Sequence, residues 1–293
     1  MARILLLLVG FVLLSIMGAK ASADDAFDSP AFYTEHVVRC TYRIQGFDGH
    51  YGTGLFIGCP VDSLRRIPAI VTARHVFDSI RSDSVQIFLR RYTGTGLVEV
   101  HPWTIQIRKD SIPLYHVHPD SNIDLAGMRF PLPKDPRLDP KIMSKSMFVS
   151  DSALADAELH TGDEVYFIGY PWGFASTQGD FPLVRSGIIA SYPILPFRSN
   201  PVYYIDGPVK KGNSGGPVLL AQRSEGKTLP GFIVGIVSNS QGQKEIVQSR
   251  DEVVIKTHDL GIAGVVNSGY ILDFFDILDC TYYSDQDTTK SVD

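Results

Sequence analysis

The sequence is poor in cysteine: Cys40, Cys59 and Cys280 are all that its 293 residues contain. Three thiols cannot build a disulfide-dense scaffold, and their spacings match neither a zinc site nor a Cys-x-x-Cys redox pair. Positive charge is not in excess either. Lys and Arg number 27 against 32 Asp and Glu, a formal net charge of −5, which argues against a nucleic-acid-binding surface. Charged residues are only 20% of the chain while hydrophobic ones are 44%. That excludes a disordered polyelectrolyte and leaves enough apolar material for a sizeable core. Beyond the N-terminus no run of about 18 apolar residues occurs, so no internal segment is read as spanning a bilayer. Gly 26 and Pro 18 make the chain turn-rich without collagen-like or low-complexity character, and no repeat of about 20–50 residues is visible.

What is present begins at the N-terminus. Arg3 precedes an apolar run over residues 4–17, broken by Gly10 and Ser15, and Ala21-Ser22-Ala23 then stands before Asp24-Asp25. This is the charged, apolar and small-residue pattern of a secretory signal. Removal of residues 1–23 is expected, leaving 24–293 as the mature chain. The expected destination is secreted or periplasmic, with no stable membrane insertion after cleavage. An oxidising compartment permits one disulfide. Cys40 and Cys59 end two strand-like runs joined by a turn at Phe47-Asp48-Gly49, so a Cys40–Cys59 bridge is the pairing expected.

After Phe32 the hydrophobic periodicity is short and strand-like. Runs at 37–44, 52–58, 67–73, 84–89, 97–107 and 123–130 are separated by Asn, Asp, Gly, Ser and Pro. A connector at 131–140 (PLPKDPRLDP) is too proline-dense for a helix or a central strand. A second series follows at 164–170, 183–190, 201–205, 217–220 and 231–238, with a weaker run near Val253. Helical patterning is clear only at 269–278, where Ile271, Leu272, Phe275 and Leu278 share a face. The pattern predicts an all-β chain in two lobes, each an antiparallel barrel or sandwich.

Three segments carry chemistry. Lys211-Gly212-Asn213-Ser214-Gly215-Gly216-Pro217 places a serine among glycines. Such a turn can project a hydroxyl from a nest of backbone amides, or it can be an ordinary β-turn. The segment also satisfies G-x-S-x-G, but that elbow must open a helix, and Gly-Gly-Pro-Val-Leu-Leu does not. A buried-type strand, Ile67-Pro68-Ala69-Ile70-Val71-Thr72, runs into Ala73-Arg74-His75-Val76, delivering an imidazole from a rigid element as a general base requires. The acid with something to explain is Asp124 in Asn122-Ile123-Asp124-Leu125-Ala126, because an unpaired carboxylate among apolar neighbours is costly. His116, His118 and Asp120 imitate a metal cluster, yet they lie in a Pro-containing loop just before Asp124; no metal and no cofactor is expected.

Thr72-Ala73-Arg74-His75-Val76, Ile123-Asp124-Leu125-Ala126 and Gly212-Asn213-Ser214-Gly215-Gly216-Pro217 resemble, in composition and order, the trypsin-like (chymotrypsin-fold) serine peptidases. Gly52-Thr53-Gly54-Leu55-Phe56, Gly162-Asp163-Glu164-Val165 and Gly235-Ile236-Val237-Ser238 resemble three further strands of that fold. The resemblance implies two six-stranded antiparallel barrels, over about 35–130 and 153–268, joined by a linker at 131–152 and followed by a C-terminal helix at about 269–279. It implies a catalytic triad of His75, Asp124 and Ser214. The oxyanion hole would be the backbone N–H groups of Gly212 and Ser214, and protein or peptide would be the substrate. By position it sets Pro208, Val209, Ser238, Asn239 and Ser240 around the primary substrate pocket. Nothing there is charged, so no preference for Lys or Arg is expected. Lys210 and Lys211 flank the site, as two solvated lysines on a turn or as an attraction for acidic substrates.

The departures from the family matter too. Asn213 stands where the secreted digestive branch has an aspartate that pairs with a newly cut N-terminus, and no Ile-Val-Gly-Gly-like start precedes the first barrel. Activation by that ion pair is therefore not expected. The chain is closer in style to bacterial HtrA and glutamyl-endopeptidase members, with no PDZ domain expected after the barrels. A catalytically quiet protein-binding module on the same fold is the alternative.

Overall fold

The computed structural model describes residues 30–60, 66–93, 97–138, 140–156, 159–194, 199–221, 233–248 and 253–278. The expected signal segment and Cys280 lie outside them. Helix α1 (Pro30–Cys40) leads into β1 (Thr41–Gly46), β2 (Tyr51–Pro60) and β3 (Arg66–Thr72), and a short helix α2 (Arg74–Ser79) follows. Next come β4 (Ser84–Tyr92), β5 (Val98–Gln106), β6 (Arg108–Lys109), β7 (Ile112–Pro113), β8 (His116–Val117) and β9 (Ala126–Arg129). Residues 37–40 of the expected first strand are thus helical, and Thr41 Oγ1 donates to the Val37 carbonyl at 2.7 Å where helix becomes strand.

These strands form a seven-stranded sheet in the order β5-β4-β1-β2-β3-β9-β8. Among the described residues no pairing joins β5 to β8, so closure of this lobe is not made by hydrogen bonds between those two strands. Pro102 gives the physical reason for the β5 edge. It pairs in register with Phe88, and with no N–H to donate it suits an edge strand.

The second lobe is closed. After α3 (Asp151–Asp156), strands β10 (Glu164–Gly169), β11 (Leu183–Ile189), β12 (Val202–Asp206), β13 (Pro217–Leu220), β14 (Ile233–Gln248) and β15 (Val253–Asn267) make a barrel in the order β10-β11-β12-β15-β14-β13. Helix α4 (Ser268–Ile277) ends the described chain. Asn267 caps it, accepting from the Gly269 N–H at 3.1 Å and donating to the Asn200 carbonyl at 2.9 Å.

Three apolar clusters hold the lobes. One fills the first lobe around Tyr42, Phe56 and Phe77, and one fills the barrel around Phe167, Tyr203 and Val265. The third lies in the seam, where Leu55, Val71 and Leu125 of the first lobe meet Ile168, Ile236 and Val266 of the second under Ile271, Phe274 and Phe275 of α4.

A buried arginine also ties the lobes. Arg90 on β4 is 2% exposed. Its guanidinium donates to the carbonyls of Thr41 (2.7 Å), Arg39 (3.0 Å), Gly179 (3.1 Å) and Asp180 (3.1 Å) and to the Tyr170 hydroxyl (3.1 Å). Asp180 in turn accepts from Arg43 at 2.8 Å. Burial raises the Asp180 carboxyl above its ordinary value, and Arg43 and Arg90 offset this only in part.

The thiols do not pair as expected. Cys40 is free and fully buried, whereas Cys59 is disulfide-bonded to a partner outside the described residues. The two residues do not end adjacent strands, because Cys40 closes a helix.

Candidate active site

Three hydrogen bonds stitch the histidine segment to the serine loop. Thr72, the last residue of β3, donates from Oγ1 to the Thr53 carbonyl at 2.7 Å. The Thr53 N–H donates to the Ser214 carbonyl at 2.9 Å, and Thr53 Oγ1 donates to the Gly212 carbonyl at 2.7 Å. Gly215 has a φ of 86° and is packed so closely that a Cβ would strike the Thr53 carbonyl and the Thr72 hydroxyl. Only glycine allows that approach. The Ser214 loop therefore lies directly beside Ala73, two residues before His75.

His75 stands in the first turn of α2, half-exposed. Its partner is Asp124, in the bend just before β9. One carboxylate oxygen accepts the His75 backbone N–H at 2.9 Å, and the other accepts from the ring Nδ1 at 2.7 Å. Because a carboxylate only accepts, the shared proton is assigned to Nδ1, leaving Nε2 free to take a proton. Ser238 on β14 donates from Oγ to the same Asp124 oxygen at 2.5 Å. Burial alone would raise the Asp124 carboxyl. The hydrogen bond from the His75 ring, the His75 charge, the Ser238 hydroxyl and the His75 N–H together outweigh it and hold the pKa below the ordinary value of 3.8. The carboxylate left unexplained by its apolar neighbours is explained by these three donors.

Ser214 is half-buried in the loop between β12 and β13. Its neighbour Gly215 donates to the Val237 carbonyl at 2.7 Å, and Val237 donates back to Gly216 at 2.8 Å. The loop is thereby tied to the β14 segment that carries Ser238. Among the described residues Ser214 Oγ makes no hydrogen bond to His75. Base–nucleophile contacts of this kind tighten when the reacting complex forms.

The Ser214 loop is braced from within. Asn213 is fully buried and its Oδ1 accepts the Lys210 N–H at 3.0 Å, while the Asn213 N–H donates to the Lys210 carbonyl at 3.0 Å. Gly212 has a φ of 98°. Trp172 donates its N–H to the Lys211 carbonyl at 2.7 Å, which aims the N–H of the same peptide, that of Gly212, the opposite way. Among the described residues neither the Gly212 nor the Ser214 N–H is spent on a protein acceptor.

A family model described as the trypsin-like peptidase domain matches residues 52–229, a span containing His75, Asp124 and Ser214. The chain belongs to the trypsin-like peptidase family. Two solved structures are among those it resembles. Human heparin binding protein is 14% identical, with a TM-score of 0.46 over 82% of this chain and 91% of that one. An atomic-resolution structure of HBP is 14% identical, with a TM-score of 0.47 over 83% and 92%. No curated protein matches the sequence.

In this trypsin-like peptidase domain the residues expected around the substrate pocket divide. Pro208, Asn239 and Ser240 are exposed, and Asn239 lies against Gly264 of β15. Val209 is buried in the barrel core and Ser238 is turned onto Asp124. His118 accepts the Asp120 N–H at 3.1 Å and packs its ring against Tyr270 and Phe274 of α4. Among the described residues no group of three metal-capable side chains occurs. Residues that position the site without announcing it in the sequence are Thr53, Thr72 and Trp172. The one signal Thr53 and Thr72 leave is a hydroxyl placed inside a glycine-rich or strand-ending motif; Trp172 acts through its backbone N–H and leaves none.

Proposed function

We propose that the chain is a secreted serine endopeptidase in which Ser214 is the nucleophile, His75 the general base and Asp124 the residue that orients His75. As Ser214 Oγ bonds to the scissile carbonyl carbon, its proton passes to His75 Nε2, and Asp124 stabilises the resulting imidazolium. The carbonyl oxygen becomes an oxyanion between the N–H groups of Gly212 and Ser214. The C–N bond then breaks, the Nε2 proton leaves with the amine, and the acyl group stays on Ser214. Water repeats the sequence on that ester, releasing the acid and restoring the hydroxyl.

The observation that carries this reading is Asp124 bound simultaneously to the ring and backbone of His75 beside a serine loop whose two relevant N–H groups are unspent among the described residues. Asn213 supports a form that needs no activating ion pair, since its amide already braces the loop. Digestion of casein or a mixed peptide library by the purified mature chain tests the proposal. Ser214→Ala should lower turnover by at least about 10⁴-fold with an unchanged circular dichroism spectrum. Equal turnover by the folded variant would remove Ser214 from the chemistry.

The absence of a Ser214–His75 hydrogen bond favours a second reading, a catalytically quiet protein-binding module. Casein left intact by the folded wild-type chain would support it.

A further inference from the structure

Beside the oxyanion loop an open cleft of about 520 Å³ is lined by Trp172, Phe174, Leu183, Val184, Arg185 and Lys210, together with Pro171. Its walls are apolar yet uncovered: Trp172 is 59% and Phe174 67% exposed, and Leu183 and Val184 are also exposed. Exposed aromatic and aliphatic side chains gathered at a concavity mark a binding surface rather than ordinary surface scatter. Trp172 also holds a left-handed backbone conformation, φ 54° and ψ 23°, which a bulky residue keeps only where its surroundings impose it. The Trp172 N–H bond to the Lys211 carbonyl is that constraint. The cleft is therefore continuous with the candidate catalytic loop.

Its position relative to the reacting bond follows from the same contacts. On the proposed mechanism the leaving amine takes its proton from His75, so it departs on the α2 side, where Val76 abuts Gly52 of β2, next to Tyr51. The chain that follows the scissile bond must leave across Gly212. That glycine rests on the Tyr51 ring and the Tyr170 carbonyl, and Trp172 stands beyond it. At about 3.3 Å per extended residue, the first few residues after the bond reach the cleft. Arg185 on β11 and Lys210 give the rim positive charge. No carboxylate is among the lining residues, and Arg185 makes no ion pair among the described residues.

We infer that this cleft is a leaving-side subsite that selects a large apolar side chain with an acidic residue next to it. The inference rests on the proposed endopeptidase reading.

The test uses internally quenched peptides that are identical before the cleavage site, located by mass spectrometry, and differ after it. Peptides carrying Leu or Phe followed by Glu should be cut with a kcat/KM at least about fivefold above the same peptides with Lys in place of Glu, the size of a partly exposed charge pair. Arg185→Glu should reverse that ratio and Trp172→Ala should erase the preference for Leu or Phe over Ala. Should Arg185→Glu fail to fold, Arg185→Gln and the wild-type ratio at high salt replace it; both should bring the ratio toward one. A wild-type ratio of one, or a ratio unmoved by these changes, overturns the inference. Labelling of wild-type Ser214 by a fluorophosphonate separates the two failures. Labelled protein with no leaving-side preference sinks only the subsite, whereas unlabelled protein sinks the endopeptidase reading and the subsite with it.

Discussion

Asp124 accepts one hydrogen bond from a backbone and two from side chains, so replacing it changes more than charge. In Asp124→Asn the amide can donate to Nδ1, which favours the wrong imidazole tautomer. A fall in kcat of about 10⁴-fold is expected, the magnitude seen for this substitution in the triad template of the same fold. The same substitution has a pH signature in stability. A carboxyl whose native pKa lies below its unfolded one stabilises the fold above the unfolded pKa and loses that contribution as pH falls through the native value. Wild type should therefore exceed Asp124→Asn by about 1–3 kcal/mol in urea unfolding near neutrality. The gap should close as the pH drops below the ordinary carboxylate range. The proposed triad of His75, Asp124 and Ser214 stood out in the sequence because each combines a reactive group with a motif that has a geometric reason; of its contacts the structure shows the one between His75 and Asp124. Ser238 and Thr53 could not be assigned their roles, because their hydroxyl partners lie on other elements and are set only by tertiary packing.

At the scale of elements, α4 was legible because apolar residues recur at helical spacing, and the structure adds Phe274 to the buried face. Phe274 is fully buried in the seam and packs beside Gly127 of β9. Phe274→Ala should cost about 3–5 kcal/mol, read as a lowered thermal midpoint, and α4 should be a late element to lose only if that packing is intact. Helix α1 was hidden because residues 38–44 alternate apolar and polar, a strand-like period that runs without a break from the helix into β1. The turn at Thr41, set by its bond to Val37, decides the matter locally. Helix α2 is shorter still, and it is what places His75 beyond the end of β3 rather than within it. The open edge at β5 had a sequence sign in Pro102.

Across the whole molecule, the two-lobe plan was readable from the alternation of short runs about the proline-rich connector, while the clasp between lobes was not. Arg90 stands beside Arg91 just past the apolar run at 84–89, and such a pair reads as exposed cations. In the fold Arg90 satisfies carbonyls from β1, from the end of α1 and from the 179–180 segment at once. Arg90→Met should destabilise the chain by about 3–5 kcal/mol, leaving several buried carbonyls without a donor while Asp180 keeps Arg43, and guanidinium unfolding will show it as a lowered midpoint. The free and bonded thiols give a second whole-chain check. Burial pushes the Cys40 thiol up to about 12, so alkylating reagents should reach Cys40 only after denaturation, and Cys59 only after reduction as well. Peptide mapping distinguishes these; alkylation of Cys59 in unreduced protein would contradict the arrangement.

The proposed role of Ser214 as nucleophile is tested most directly by mapping a fluorophosphonate adduct by mass spectrometry on the folded wild-type chain. A single adduct on Ser214, lost when His75 is replaced by Ala, is the result predicted. No adduct, or one that persists without the His75 imidazole, would contradict it.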